Sequence, residues 1–299
     1  MTADVSNTRP RTARGVTSSS SPPCRPGRAR MYPEKYIRNA LVAATAVLFV
    51  GTTVAPDRNA SGPILTAASS FLSGTPETAA PATATVPGEV SATTNAALAA
   101  LGSVVRPLSH PQALATAFRS YFAFKVAHPD QVKKPFLYFV DYGLPSTTPR
   151  GYVFDMSSLK VVDGPFAVAH GRGSSASKYG IPTRFSNRLG SAATSLGLYL
   201  TAATYAFRGS ASGRSYRSIG MRLLGVSRGF NDNAFVRRVV AHGAPYVTEN
   251  TAGRSEGCPA MEPSRAKRLL PELSDGGMVF LFAPDPKWMN QDPWVAAGN

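Results

Sequence analysis

The chain is poor in the residues that most metal and disulfide frameworks need: it has two cysteines and four histidines in 299 residues. The histidines are scattered and only one cysteine lies in the body, so no ligand set with metal-binding spacing is available and no metal or other cofactor is expected. Acid is scarce too, with 17 Asp and Glu against 32 Lys and Arg and a net charge of +15. Such a balance implies a polyanionic neighbour, whether nucleic acid, an anionic membrane surface or an acidic polymer. Nucleic acid is not the expected one. Arg214, Arg217, Arg222 and Arg228 are dispersed, with neither an aromatic-interleaved RNA motif nor a recognition helix around them. Internal repeats are absent, and no apolar run reaches the ~20 residues of a comfortable membrane span.

Ser, Thr, Pro, Ala and Arg dominate the first 92 residues, a composition that buries little surface and stays disordered. Within them, residues 1–38 read as a basic tail. Residues 39–55 read as a signal peptide or membrane anchor, because the apolar run ALVAATAVLFVGTTVA (40–55) follows Lys35 and Arg38. Pro56 makes a poor first mature residue after Ala55, so both the cleaved and the anchored forms stay open, and Met31 is a candidate alternative start. Residues 56–92 form an Ala/Thr/Pro linker with reach across a crowded envelope. Export to the periplasm or cell envelope is therefore expected, with the N-terminal segment as the membrane contact. Cys24 would then be removed or left on the cytoplasmic side, and Cys258 would stand alone in a disulfide-permissive compartment. A lone thiol there is either buried and inert or chemically employed.

The order-forming pattern starts near Asn95. Residues 93–133 form a helical lead-in: a short Ala/Leu-rich helix over Asn95–Val105, then a second opened by Ser109-His110-Pro111. Leu114, Ala117, Phe118, Tyr121, Phe122 and Val126 give that second helix one apolar face, and His128-Pro129 ends it. From Lys134 the pattern turns to short strands at 136–141, 151–155, 159–162, 166–170, 197–202, 218–225, 237–241 and 277–282. A short helix is expected over Pro263–Leu273 despite Pro271. Strands without long intervening helices cannot build a doubly wound parallel sheet, so the body at 134–285 is expected to be mainly β, of α+β class with short helices. Residues 286–299 read as a C-terminal tail.

The stretch VVAHGAPYVTENTAGRSEGCPAM (239–261) carries the chemistry. An apolar strand ends at His242, a Gly-rich loop follows, and Cys258 comes after Ser255-Glu256-Gly257. Cysteine attack needs a thiolate, and a neighbouring imidazole both takes the proton and stabilises the resulting ion pair. On that basis His242 is the candidate base, and partial ionisation of Cys258 below its ordinary range is expected. Gly257 permits a sharp turn, which leaves the Gly257 and Cys258 amides available as an oxyanion hole. Pro259 fixes the chain behind the nucleophile.

His242 followed by Ser255-x-Gly257-Cys258 resembles the signature of the L,D-transpeptidase (YkuD-like) catalytic domain. The fuller resemblance is to its murein branch, through HGRGS (170–174), RFSN (184–187), GSAATSLGLYLT (190–201), HGAPYV (242–247) and GRSEGCPAM (253–261). Two departures stand out. The family's Ser/Thr-His-Gly-Cys turn has Glu256 in place of the second His, and Pro259 replaces the Arg that commonly follows the Cys. A carboxylate facing the sulfur would raise the thiol pKa. Glu256 is therefore expected to point away, with Arg254 supplying the missing positive charge. The resemblance implies a β-sandwich or barrel catalytic domain. It also implies acyl transfer on peptidoglycan stem peptides through a Cys258 thioester, with His242 acting as base and then as acid. His170, Ser186, Asn187, Tyr199, Arg254 and Ser255 are candidates for the substrate groove. The rival readings are a hydrolase using the same pair and a non-catalytic wall-binding module, for which Glu256 is the main argument.

Overall fold

The computed structural model describes residues 86–296. The basic tail, the apolar run at 40–55, Cys24 and most of the linker lie outside the described residues. Among the described residues, no helix is long and apolar enough to cross a membrane.

Helix α1 spans Val86–Leu101 and so begins inside the stretch whose composition reads as linker. Its buried residues are Val90, Thr94, Ala97 and Leu101, spaced four, three and four apart on one face. This stripe is mostly small or polar, so an average over composition hides it, but burial against helix α2 (Ala113–Ala127) is enough to set it. The Thr94 hydroxyl donates to the Val90 carbonyl at 2.7 Å, which removes the polar penalty of burying it. Helix α2 buries Leu114, Ala117, Phe118, Tyr121 and Phe124, while Val126 faces solvent.

The strands are β1 (Phe136–Asp141), β2 (Gly151–Asp155), β3 (Lys160–Phe166), β4 (His170–Gly171), β5 (Gly197–Ala211), β6 (Arg214–Gly225), β7 (Val240–Gly243), β8 (Arg254–Ser255), β9 (Ala260–Met261) and β10 (Met278–Phe282). Eight of them form one mixed sheet in the order β3-β2-β1-β10-β5-β6-β7-β9, and β4 pairs with β8 beside it. Neighbours run antiparallel except β1 with β10 and β7 with β9. The class is thus α+β and mainly strand. At its centre β1 and β10 carry LYFV and VFLF, buried on both faces, which is why neither shows polar alternation. Helix α3 (Pro263–Leu273) packs on β5, β6 and β7, and α2 packs on β1 and β10.

Several stretches differ from the sequence expectation; the strand expected at 166–170 is absent, since β3 ends at Phe166 and β4 is only His170–Gly171. The β5–β6 hairpin is far longer than predicted, because its outer half is only partly covered and carries Arg, Ser and Gly where an apolar signal was sought. Its turn is Ser212-Gly213, with φ of 50° and 77°, the pair of left-handed residues a tight hairpin demands. Arg237 and Arg238 are not strand; β7 starts at Val240, after Arg238 adopts φ 59°. The last correction concerns residues 286–296, which are not a tail. Helices α4 (Pro286–Gln291) and α5 (Pro293–Ala296) close the core, with Trp288 buried against Phe280 and Phe282. The Asp285 side chain caps α4 by accepting from the Trp288 amide, and the Trp288 indole donates to Asp292 at 2.8 Å.

Candidate active site

The parallel pairing of β7 with β9 sets His242 opposite Ala260, so Cys258 sits two residues up the neighbouring chain from the histidine. On the other side of β9, Ala169 bridges to Ala260, and β4 runs parallel to β8 in the register His170–Arg254 and Gly171–Ser255. The segment 254–261 is therefore gripped between β7 and β4, and Cys258 stands in its bend. Gly257 makes the bend possible. Its φ is 118°, and a Cβ there would meet the Ala193 carbonyl oxygen at 2.8 Å. Gly171 lies against it, since a Cβ at 171 would fall 2.8 Å from the Gly257 Cα. Ser255 braces the turn from inside: its hydroxyl donates to the Cys258 carbonyl at 2.7 Å and accepts from the Gly257 amide at 3.2 Å. The Gly257 amide is thus committed to the turn, and the Cys258 amide is engaged by neither of these bonds.

His242 is buried on the face of β7 that meets the hairpin, where Phe207 stacks on its ring at 4.2 Å between centroids. Gly220, its partner across β6, has no side chain to displace that ring. His242 Nδ1 lies 3.1 Å from the Gly243 carbonyl. A carbonyl only accepts, so Nδ1 carries the proton and Nε2 keeps its lone pair. Burial lowers the imidazole to about 4, so at neutral pH it is uncharged and basic at Nε2. Cys258 is half-buried, and its Sγ contacts the Arg238 carbonyl at 3.9 Å. Burial pushes the thiol up to about 11; the Val240 amide and the Arg237 guanidinium pull against that, and Glu256 adds to it. Both shifts run against the ion pair expected from the sequence. Burial penalises the charged form of each group, which favours a neutral thiol and a neutral imidazole.

Glu256 does turn outward. Its carboxylate pairs with Arg172 at 2.7 Å on the exposed surface. Arg254 does not serve the sulfur; its guanidinium is held by the Ser175 and Ala176 carbonyls, both at 3.0 Å. The cation beside the turn is Arg237, whose Nη2 would lie 3.5 Å from a Cβ on Gly257. In the sequence Arg237 sat within an expected strand and carried no motif, so only the left-handed Arg238 that follows it, visible in three dimensions, brings it to the site.

The remaining candidates make the following contacts within the protein. His170 is fully buried. Arg150 Nη2 donates to its Nδ1 at 3.1 Å, which places the His170 proton on Nε2, near the Ser177 backbone. Burial, with the Arg150 and Arg254 charges, lowers His170 to about 3. Its one lone pair is thus spent on Arg150, and it is no substitute base. Tyr199 is also fully buried, with its hydroxyl against Ser195 Oγ at 2.8 Å and the Ser195 carbonyl at 2.7 Å. Ser186 and Asn187 shape a surface loop: the Ser186 hydroxyl accepts from the Arg188 amide, and Asn187 bonds to Asp232 and Asn233.

A family model described as the L,D-transpeptidase catalytic domain matches residues 107–282, more than half of the chain. No curated protein matches. Among solved structures, an L,D-transpeptidase from Mycobacterium smegmatis is 15% identical with a TM-score of 0.31, over 50% of this chain and 59% of that one. An L,D-transpeptidase (residues 123–326) from Xylanimonas cellulosilytica is 14% identical with a TM-score of 0.29, over 50% of this chain and 61% of that one. The match thus spans about three fifths of the length of each.

Proposed function

The chain belongs to the L,D-transpeptidase catalytic-domain family, and from that premise we propose that it is an exported cysteine acyltransferase acting on peptidoglycan stem peptides. The observation that carries the reading is the tautomer of His242. With Nδ1–H fixed on the Gly243 carbonyl, the Nε2 lone pair remains to take a proton, on the strand beside the Cys258 turn. In the proposed reaction the Cys258 thiol gives its proton to His242 Nε2 as Sγ bonds to the carbonyl carbon of a meso-diaminopimelate residue in a tetrapeptide stem. Because thiol and imidazole are both neutral at rest, proton transfer accompanies attack rather than preceding it. The oxyanion is received by the Cys258 amide. Collapse breaks the bond to the terminal D-alanine, whose amine leaves with the proton held by His242. A second stem's amine then attacks the thioester, passing its proton back through His242, and the thiol is regenerated.

The outward pairing of Glu256 with Arg172 weakens the non-catalytic reading, since it removes the carboxylate from the sulfur's immediate surroundings. Purified tetrapeptide muropeptides incubated with the protein should yield cross-linked dimers lacking one D-alanine, identified by mass spectrometry, and Cys258→Ala should yield none. Stem shortening or cleavage without dimers would identify the hydrolase instead. Equal product from Cys258→Ala would end the cysteine mechanism.

A further inference from the structure

Arg237 sits under the Cys258 turn and spends its donors on one short segment. Nη1 donates to Ser195 Oγ at 2.9 Å, while Nη2 donates to the Ala193 carbonyl at 2.6 Å and Ser191 Oγ at 3.2 Å. That segment in turn supports the nucleophile's turn, because the Ala193 carbonyl is what a side chain at 257 would strike. Ser195 continues the chain of contacts inward to the buried Tyr199 hydroxyl. None of the carboxylates among the described residues forms an ion pair with Arg237. A half-buried guanidinium held only by neutral oxygens keeps its charge without a carboxylate to compensate it, and a guanidinium does not shed its proton to relieve that cost.

We propose that Arg237 is the positioning residue of this site, holding segment 191–195 beneath the Gly257–Cys258 turn and presenting an uncompensated positive charge to the thiolate that forms on Cys258. The inference rests on the reading of Cys258 as nucleophile and gives it the cation that the sequence lacks after the Cys. The charged and titratable groups around Cys258 are few. Arg237 favours the anion. Glu256 disfavours it, from the surface. The phenols of Tyr142, Tyr199, Tyr205, Tyr216 and Tyr246, raised chiefly by their own burial, stay neutral. His242 is neutral as well. Arg237 is therefore the only cation acting on the sulfur in that set.

The test uses the full chain carrying Cys24→Ser, so that Cys258 is the only thiol, and follows alkylation by iodoacetamide against pH. Arg237→Gln should raise the pH of half-maximal alkylation by about 1 and slow the reaction ~tenfold at pH 8. Arg237→Lys should recover most of that shift, because it restores charge, yet lower kcat on muropeptides, because an ammonium cannot hold all three oxygens of the segment in one plane. A folded Arg237→Gln protein with the parent's pH profile would overturn the proposal. Should Arg237→Gln fail to fold, Ser195→Ala decides, since loss of that anchor loosens the guanidinium. A smaller upward shift supports the proposal, and an unchanged profile overturns it. Alkylation needs no peptidoglycan, so absence of product from muropeptides with the shift intact would count against the substrate reading alone.

Discussion

At the scale of single residues, the site couples a thiol pushed up to about 11 with an imidazole pushed down to about 4, both mainly by burial. The signs lead to a specific expectation. At any pH between those values neither group is charged, so His242 contributes little field to the resting sulfur. His242→Ala should therefore cut muropeptide turnover by about 10²–10⁴-fold, the worth of a general base, while leaving the alkylation pH profile nearly where it was. Stopped-flow alkylation alongside turnover assays checks this. An upward move of the profile in His242→Ala would show that an imidazolium–thiolate pair exists at rest. The proposed roles of Arg237 and His242, thiolate stability and proton transfer, are thereby separable by experiment. Glu256 acts in the opposite direction to Arg237, but from an exposed position where Arg172 and solvent screen it.

Among the elements, the closing helices α4 and α5 hold the largest departure from the sequence reading and the clearest stability test. Trp288 is 2% exposed, lies against Phe280 and Phe282 of β10, and satisfies its indole N–H through Asp292. Trp294 extends the same seam, donating to the Val226 carbonyl at 2.8 Å and meeting the Phe124 ring at 5.0 Å. The end of the chain thus seals the edge between α2 and the strand that ends at Gly225. Trp288→Ala should lower unfolding free energy by about 3–5 kcal/mol, the usual cost of emptying a buried aromatic site, as read from urea denaturation. A loss below about 1 kcal/mol would mean that the segment is the loose tail its composition implies.

For the whole molecule, the described fold starts at Val86, and the boundary has measurable consequences. A protein beginning at Val86 should melt within ~1–2 °C of the full chain. One beginning at Thr93 loses Val90 from the seam between α1 and α2 and with it ~1–2 kcal/mol of apolar burial. For a domain of this size that corresponds to a fall of ~2–8 °C. Differential scanning calorimetry of the two truncations decides the matter, and equal melting points would show that the first turns of α1 add nothing. Both truncations should retain muropeptide turnover, because the residues placed at the candidate site all lie between 142 and 261. On the proposed reading of an acidic polymer substrate, turnover should fall as salt rises, because the chain carries a net charge of +15.

Sequence by itself determined much of this protein. The central strands β1, β2 and β10, the helices α2 and α3, and the Gly257-Cys258 bend were legible, because long apolar runs, helical spacing and a glycine forced to positive φ each leave a local mark. His242 and Cys258 were legible as candidates for base and nucleophile. Their protonation was not, since it depends on how much water the fold removes from both groups. Tertiary structure alone decided which arginine lies beside the Gly257–Cys258 turn. Arg254, three residues from the glycine bend's nearer end, is spent on the carbonyls of Ser175 and Ala176, whereas Arg237 comes from a turn ahead of β7. It also decided that His170 and Tyr199 are fully buried, and that Trp288 and Trp294 belong to the core. The reason is common to all of these: charge placement and burial follow from contacts between segments distant in the chain, and no local pattern encodes them.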